Sequence, residues 1–413
     1  MSTQVTILGA GVIGLSSALY CARRGMAVTI IEQKARQRDG CSFGNAGMIV
    51  PSHFIPLAAP GMVAMGLKWM WNPESPFYIQ PRLDGDLMRW GLHFWKAATK
   101  ARVDAAAPVL RDLSLLSREC FEKLGLDFGL VKRGLIMLCQ KQQTLDEEGH
   151  MAEKANALGI PAEVLDAKAT AALDPAVAMQ VCGSVLFPKD CHLPPGRFIS
   201  AMEAELLRLG VTFLWETEVK GFEVEGQTVR TVKTSKGEVS GDEVVLCSGV
   251  WSAQLAKELG LKIPMQAGKG YSLTLANPRQ LPELCSICTE ARLAVTPMEG
   301  TLRVGGTMEL AGIDERITAR RVRGITRAFP QYFPAFEERD FAEVKPWSGL
   351  RPVSPDGMPY LGRTKRWRNL TLATGHAMMG LSLAPVTGKI VAEVLAHTKT
   401  GLDLSLCDPD RFA

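Results

Sequence analysis

No apolar run in the 413-residue chain reaches the ~18 uncharged positions that a membrane-spanning helix needs, so no span is expected. The first structured motif begins at residue 5, which leaves no room for a signal peptide. The expectation is a chain that is not exported: cytoplasmic, with a peripheral place on the inner face of the membrane as the alternative. No basic stripe is present. The densest cluster, Arg320-Arg321-Val322-Arg323, reads as a solvated helix face, and the net charge is only +4, so no nucleic acid partner is expected. Metal ligands are also short. Cys285-Ser286-Ile287-Cys288 is a CxxC, but no second CxxC and no HxxxH completes a four-ligand set. Two packed cysteines are expected there, and no metal. Ten cysteines among apolar neighbours suit reduced thiols packed as small hydrophobes. There is no Ser-His-Asp or Cys-His order that marks a nucleophile, no internal repeat and no low-complexity tract. What remains is ordinary globular composition, 22% charged and 46% hydrophobic, at a length that suits two domains.

The most informative stretch is Val5–Glu32. An apolar run, Val5-Thr6-Ile7-Leu8, leads into Gly9-x-Gly11-x-x-Gly14. A helical pattern follows, opened by Val12 and Ile13, then a second apolar run, Val28-Thr29-Ile30-Ile31, which ends on Glu32. This is strand, glycine turn, helix, strand, acid. Gly9 allows the tight turn. Gly11 lets a pyrophosphate approach the backbone. Gly14 lets the helix lie close on the sheet. The helix N-terminus offers unpaired N–H groups to phosphate. Glu32 sits 18 residues after Gly14, near the ~20 at which an acid accepts a ribose hydroxyl. Such an acid favours FAD or NAD over NADP. Gln33 follows it at the same end.

Beyond this unit, Cys41–Gly47 is small and glycine-rich, a place for backbone to approach a flat ligand. Residues 51–60 are proline-punctuated and exclude a long helix. Gly61–Trp71 and Leu87–Lys100 crowd Met and Trp. Two readings stand: a helical pair packed on the core or another subunit, or a patch that dips into a membrane interface near a quinone. Helices are expected over 104–124, 145–158, 197–209 and 317–329, and a buried strand over 134–139. Glu243–Cys247 reads as a strand running into Ser248-Gly249 and then a helix through Trp251. It repeats the logic of the N-terminus and so is expected in the same parallel sheet. Residues 271–275, 293–296 and 302–307 suit antiparallel strands. A discontinuous nucleotide domain follows: 1–56, 185–262 and 331–413, with 57–184 and 263–330 forming the second domain.

Five motifs in order carry a family resemblance: GxGxxG with Glu32, SFGNAG, VVLCSGVWS, WSGLRPVSPDGMPYLG and GHAMMGLSLAPVTGK. Together they resemble the FAD-dependent D-amino acid oxidase superfamily, on its D-amino acid dehydrogenase branch, over nearly the whole chain. The resemblance implies an α/β fold: an FAD-binding Rossmann-like domain of glutathione-reductase type and an α+β substrate domain with a mixed sheet. It implies noncovalent FAD and hydride removal from the α-carbon of an amino acid, giving an imine. D-Proline and hydroxy-D-proline are among the substrates in view. The rivals are a glycine or sarcosine oxidase using O2, and an FAD subunit inactive by itself. The acceptor in the leading case would be a quinone or respiratory chain.

Arg351, in Gly349-Leu350-Arg351-Pro352, is implied to grip the substrate carboxylate, and a planar, permanently charged guanidinium suits that role. The alternative is a surface arginine after a turn. Gly375-His376 and Gly380-Leu381-Ser382 are implied to wrap the flavin, with the last helix aiming its positive end at the ring. His376 either meets flavin or substrate or is simply packed. His53 and Tyr271 are weaker candidates for the pocket wall. Ser42, Asn45, Ala46, Gly47, Val219, Ser248, Gly249 and Trp251 complete the expected cofactor contacts.

Overall fold

The structure, a computed structural model, describes residues 2–69 and 75–413. Met70 and Trp71, at the end of the Met/Trp stretch, lie outside the described residues.

Two sheets organise the chain. The first has six strands, in the order Tyr360–Arg363, Leu370–Thr374, Glu243–Leu246, Gln4–Leu8, Ala27–Ile31 and Thr212–Leu214. All neighbours pair in parallel except the first two. Apolar runs such as Val5–Leu8 are buried because helices cover the sheet, as in other parallel sheets. The helix Val12–Arg23 packs on the helix Ala384–Leu395. A Cβ at Gly388 would lie 2.4 Å from the Ser16 carbonyl carbon, so the two backbones touch. The expected strand at 243–247 therefore does join the N-terminal unit, beside Gln4–Leu8.

The second sheet is mixed and nine-stranded. It runs Trp347–Val353, Gln266–Leu275, Thr301–Leu310, Leu293–Met298, Cys285–Cys288, Leu135–Cys139, Gly183–Phe187 and Glu163–Asp166, with Phe77–Ile79 paired to Thr301–Leu310. The helix Ala319–Tyr332 covers one face, through Ile325 and Phe329. Cys285 and Cys288 are both buried in their strand. The expected nucleotide segment 331–413 contains Trp347–Val353. The chain thus rejoins the six-stranded sheet only at Tyr360.

One expectation is corrected here. Arg321 is not on a solvated face. It is buried, and its guanidinium donates to Ser75 O at 2.5 Å, so one arginine of the basic cluster anchors a distant segment. The helix Gly85–Ala97 is packed on one side only. Trp90 is buried and donates from Nε1 to Val353 O at 2.9 Å, whereas Met88, Leu92 and Trp95 are exposed.

Candidate active site

The glycine turn is built as its spacing requires. Gly9 has φ +107°, a left-handed conformation that glycine adopts at little cost. A Cβ at Gly14 would lie 1.9 Å from Gly9 O, so only glycine lets the helix sit on the turn. Gly11 differs. Its φ is −71°, open to any residue, and an added Cβ would meet only Ser42 Oγ, at 3.5 Å. The protein itself makes no demand for glycine there. The demand must come from whatever lies in the open space in front of it. Ser42 Oγ accepts from Val12 N at 3.2 Å, at the helix N-terminus. Glu32 accepts from Ala10 N at 2.8 Å and Lys34 N at 2.9 Å, which fixes its carboxylate at the rim of that space.

The Cys41–Gly47 loop is clamped from the large sheet. Gly44 lies against Trp347, where a Cβ would fall 2.0 Å from a ring carbon. Ser272 Oγ donates to Gly44 O at 3.1 Å. Arg303 donates to Phe43 O at 3.0 Å and Asn45 O at 2.8 Å. Burial pushes the Arg303 pKa down to about 10, and those carbonyls partly replace its water. Asn45 Oδ1 accepts from Gly47 N at 2.8 Å. Gly349 is needed for the same clamp, because its Cβ would lie 2.2 Å from Trp347.

Arg351 occupies the corner between loop and sheet. Its guanidinium donates to Thr307 O at 2.9 Å and lies over Gly270, where a Cβ would fall 2.2 Å from either terminal nitrogen. A β-bulge makes this contact. Lys269 pairs with Glu309 and Tyr271 with Gly306, which leaves Thr307 and Met308 opposite Gly270 alone. Thr307 takes φ +62°, a rare conformation for a β-branched residue, and thereby turns its carbonyl to Arg351. Burial lowers the Arg351 pKa. The one group acting against that is the Cys41 thiol, and no ion pair holds the guanidinium among the described residues.

The cleft bounded by these elements encloses about 1520 Å³, solvent at its mouth included. It brings together Gly9, Gly11, Val12, Ile13, Glu32 and Gln33 from the first unit, and Ser42 and Asn45 from the loop. Val219 stands at the Glu32 end, and Ser248, Gly249 and Trp251 come from the second strand–turn unit. Arg351, His376, Gly380 and Leu381 complete the expected lining.

Other expected residues support the cleft from behind. Gly14, Ala46, Gly47 and Gly349 shape the backbone. Gly375 has φ +79°, and a Cβ there would lie 2.8 Å from the Tyr360 ring. Ser382 Oγ accepts from Val50 N at 3.0 Å, and Ser382 O accepts from Ser117 Oγ at 2.6 Å. The imidazole of His376 turns inward: Nε2 is 3.0 Å from Thr387 Oγ1, and burial pulls its pKa down to about 3, so the ring is neutral. His53 is not among the residues that line the cleft, and its Nδ1 lies 3.0 Å from Ser52 Oγ. Tyr271 is also a correction. It belongs to the core under the helix Ala319–Tyr332, and its hydroxyl donates to Glu309 at 2.6 Å. Side chains alternate across a strand. Gly270 faces Arg351 and Ser272 faces the loop, so Tyr271 between them faces away.

Sequence reasoning missed Arg38 and Thr217, which also line the cleft, and reached Cys41 and Phe43 only as part of the Cys41–Gly47 segment. Arg38 donates to Ala10 O at 2.6 Å and to Glu203 at 2.8 Å, and its guanidinium lies 4.7 Å from the Trp215 ring centroid. Glu203 is 165 residues away, so no local pattern pairs them.

The cleft runs from the Glu32 carboxylate, past a helix N-terminus fronted by Gly11, to the Arg351 corner. That is the donor set an FAD would use: acid for ribose, N–H groups for pyrophosphate, glycine-lined backbone for a flat ring. The chain matches the family described as DAO, FAD dependent oxidoreductase, over residues 4–394. The D-amino acid dehydrogenase of Bradyrhizobium diazoefficiens is 32% identical, over 99% of each chain. That of Agrobacterium fabrum is 31% identical, over 99% of this chain and 100% of its own. Among solved structures, glycine oxidase from Geobacillus kaustophilus has a TM-score of 0.77 at 24% identity, covering 100% of both chains. L-Proline dehydrogenase from P. horikoshii has 0.75 at 21%, covering 100% of this chain and 98% of its own. These last two likenesses speak to the fold alone. The match over almost the whole chain joins what the glycine turn, its acid and the two sheets already indicate: the chain belongs to the DAO family of FAD-dependent oxidoreductases.

Proposed function

We propose that the chain is an FAD-dependent dehydrogenase of D-amino acids. One observation carries the reading: a half-buried guanidinium, Arg351, held by a single strained carbonyl in the cleft wall with no carboxylate to pair with among the described residues. A cation withdrawn from water without a counter-charge is costly unless a ligand supplies one. An amino acid carboxylate matches its fork. The relatives' names supply the substrate class. Arg351 binds the carboxylate in two hydrogen bonds, and that grip fixes where the α-hydrogen points. Gly270 leaves the room in which the guanidinium lies. The flavin, when bound, supplies the hydride acceptor. The imine product then hydrolyses in water to an oxo acid, unless the amine is cyclic, as with D-proline or hydroxy-D-proline.

In this reading Gly9, Gly11, Val12 and Ile13 hold the pyrophosphate, and Glu32 holds the ribose with Gln33 and Val219 beside it. Ser42, Asn45, Gly380 and Leu381 approach the ring. The FAD is noncovalent: burial pushes the Cys41 thiol in the cleft up, which makes it a poor nucleophile.

Anaerobic titration of the purified protein with D- and L-amino acids, sarcosine, glycine and both prolines tests this, followed at the flavin band. Bleaching by a D-amino acid is expected. Bleaching by glycine or sarcosine alone, with peroxide formed in air, would replace the reading by an oxidase. No bleaching at all would point to a subunit that needs a partner.

We infer a respiratory acceptor at a membrane surface as the partner of this chemistry. No described helix is long and apolar enough to cross a membrane. Met88, Leu92 and Trp95, however, lie exposed along one face of Gly85–Ala97, with Arg89 and Lys96 on the same helix. The protein should cosediment with anionic phospholipid vesicles, and the double variant Met88→Ser, Trp95→Ser should not. Equal sedimentation of the two would sink the membrane contact.

A further inference from the structure

Residues 311–318 join the strand Thr301–Leu310 to the helix Ala319–Tyr332 and have no part in the chemistry above. Gly312, at φ +80°, turns the chain as it leaves the strand. Two contacts then tie the loop to the nine-stranded sheet. Lys269, fully buried in the strand Gln266–Leu275, donates from Nζ to Arg316 O at 3.0 Å and lies 3.6 Å from the Asp314 carboxylate. Ser348, in the neighbouring strand Trp347–Val353, donates from Oγ to Glu315 O at 2.9 Å. The backbone at 315 and 316 is thus held from one side.

A third contact reaches the other side. The Glu315 carboxylate accepts from Lys34 Nζ at 3.2 Å. Lys34 follows the strand Ala27–Ile31 of the six-stranded sheet and stands two residues after Glu32, whose carboxylate its N–H holds. Among the described residues, no other hydrogen bond joins residues 311–316 to that sheet or to the turns at its strand ends. Lys34 and Glu315 both line the cleft, at its Glu32 end. With Gln33, Glu218 and Trp251 they also line a second, outer hollow of about 910 Å³, solvent included. Five shared residues make a neck between the two spaces, and the ion pair crosses it.

We propose that residues 311–316 form a strap across the mouth of the FAD cleft, latched by the Lys34–Glu315 ion pair, and that the cofactor enters and leaves while the latch is open. This rests on the cleft as the FAD site, not on which amine is oxidised. The latch links protein to protein, so it acts on passage rather than on affinity. Breaking it speeds entry and release by the same factor and leaves Kd in place, because bound and free forms lose the same contact. A side chain that gripped the cofactor itself would change release and Kd together.

Charge supplies a second distinction. The FAD pyrophosphate is negative, and so is Glu315. As a mere neighbouring charge, Glu315 would repel the cofactor, and neutralising it would slow release and tighten binding. As a latch, its loss speeds release. The strength also suits a gate. The side chains of Lys34 and Glu315 are 33% and 53% exposed, so the pair is weak and is weakened further by salt. A pair of this kind shifts an equilibrium by about 2–5-fold. The buried Lys269 anchor is not exposed to salt in this way, so the strap opens at its Glu315 end.

The test needs no turnover. Holoenzyme is mixed with excess radiolabelled FAD, and uptake of label gives the release rate; dilution gives Kd. Glu315→Gln should speed release about 2–5-fold at low salt, with Kd within about twofold of wild type. Raising the salt to about 1 M should close the gap between the two proteins. In a Lys34→Gln background, Glu315→Gln should change release no further, since the latch is already broken. The bound flavin band reports folding in each variant. Release that is unchanged or slower in Glu315→Gln overturns the latch. So does a Kd that rises in step with release, or a full further effect in the Lys34→Gln background. If the latch fails while Gly11→Ala weakens FAD binding, the cleft stands as the FAD site and the strap alone is wrong. If Gly11→Ala also keeps full affinity, the site itself falls, and the strap with it.

Discussion

Arg351→Met is expected to raise KM for the amino acid by about 10²–10³-fold, with FAD content unchanged. A hydrogen bond to a charged group contributes about 1.5–3 kcal/mol, and a bidentate grip is two of them, about 3–6 kcal/mol together; the lower part of that range is about 10²–10³-fold. The cofactor is spared because the one hydrogen bond of the guanidinium among the described residues goes to Thr307 O, not to the glycine turn. The folded state is also spared. Methionine removes a half-buried cation with no carboxylate partner among the described residues, so thermal stability should hold or rise. That combination separates a ligand-binding arginine from a structural one, whose loss would lower stability and leave KM alone. Arg351→Lys should fall between, since a lysine keeps the charge and loses the fork. Steady-state assays with a dye acceptor, flavin absorbance and a melting curve decide it. An unchanged KM removes Arg351 from the site.

The sequence discloses features that depend on local spacing. Gly9, Gly11, Gly14 and Glu32 sit in one 28-residue unit, and their places in or behind the cleft wall follow from strand and helix periods alone. What it conceals depends on register. Tyr271 and Gly270 are neighbours, yet one points into the core and the other lies under Arg351. Deciding between them requires knowing which face of Gln266–Leu275 meets the loop, and a slip of one residue reverses the answer. The Thr307 bulge is hidden for the same reason: it exists only as a mismatch between two strands. Arg38 with Glu203, and Ser52 with Asp190, are pairs joined across 165 and 138 residues. Arg321 reads as solvated because its neighbours Arg320 and Arg323 are exposed, while its own turn of helix faces the sheet. Burial of a charge is a tertiary fact, set by a carbonyl that the fold happens to bring near.

Gly11→Ala and Gly14→Ala should fail in opposite ways, although both alter the same turn. At Gly14 the new Cβ would sit 1.9 Å from Gly9 O and 3.1 Å from Gly9 C. Both are backbone, so the helix must lift off the turn. Overpacking of this kind costs about 1–3 kcal/mol or more, and the apoprotein itself should melt earlier. At Gly11 the Cβ would meet only Ser42 Oγ, at 3.5 Å, and the backbone angle of −71° suits alanine. The apoprotein should therefore be unharmed, or gain about 0.4–1 kcal/mol from a less mobile unfolded chain. Its affinity for FAD should nonetheless fall about 10-fold or more, because the methyl stands where a pyrophosphate would approach the N–H groups at the helix start and costs at least one charged hydrogen bond. Melting curves of the two apoproteins, and FAD titration of each, separate a glycine required by the fold from one required by the ligand. Full FAD affinity in Gly11→Ala would place the phosphates away from this turn, and Glu32 would then lose its role at the ribose as well.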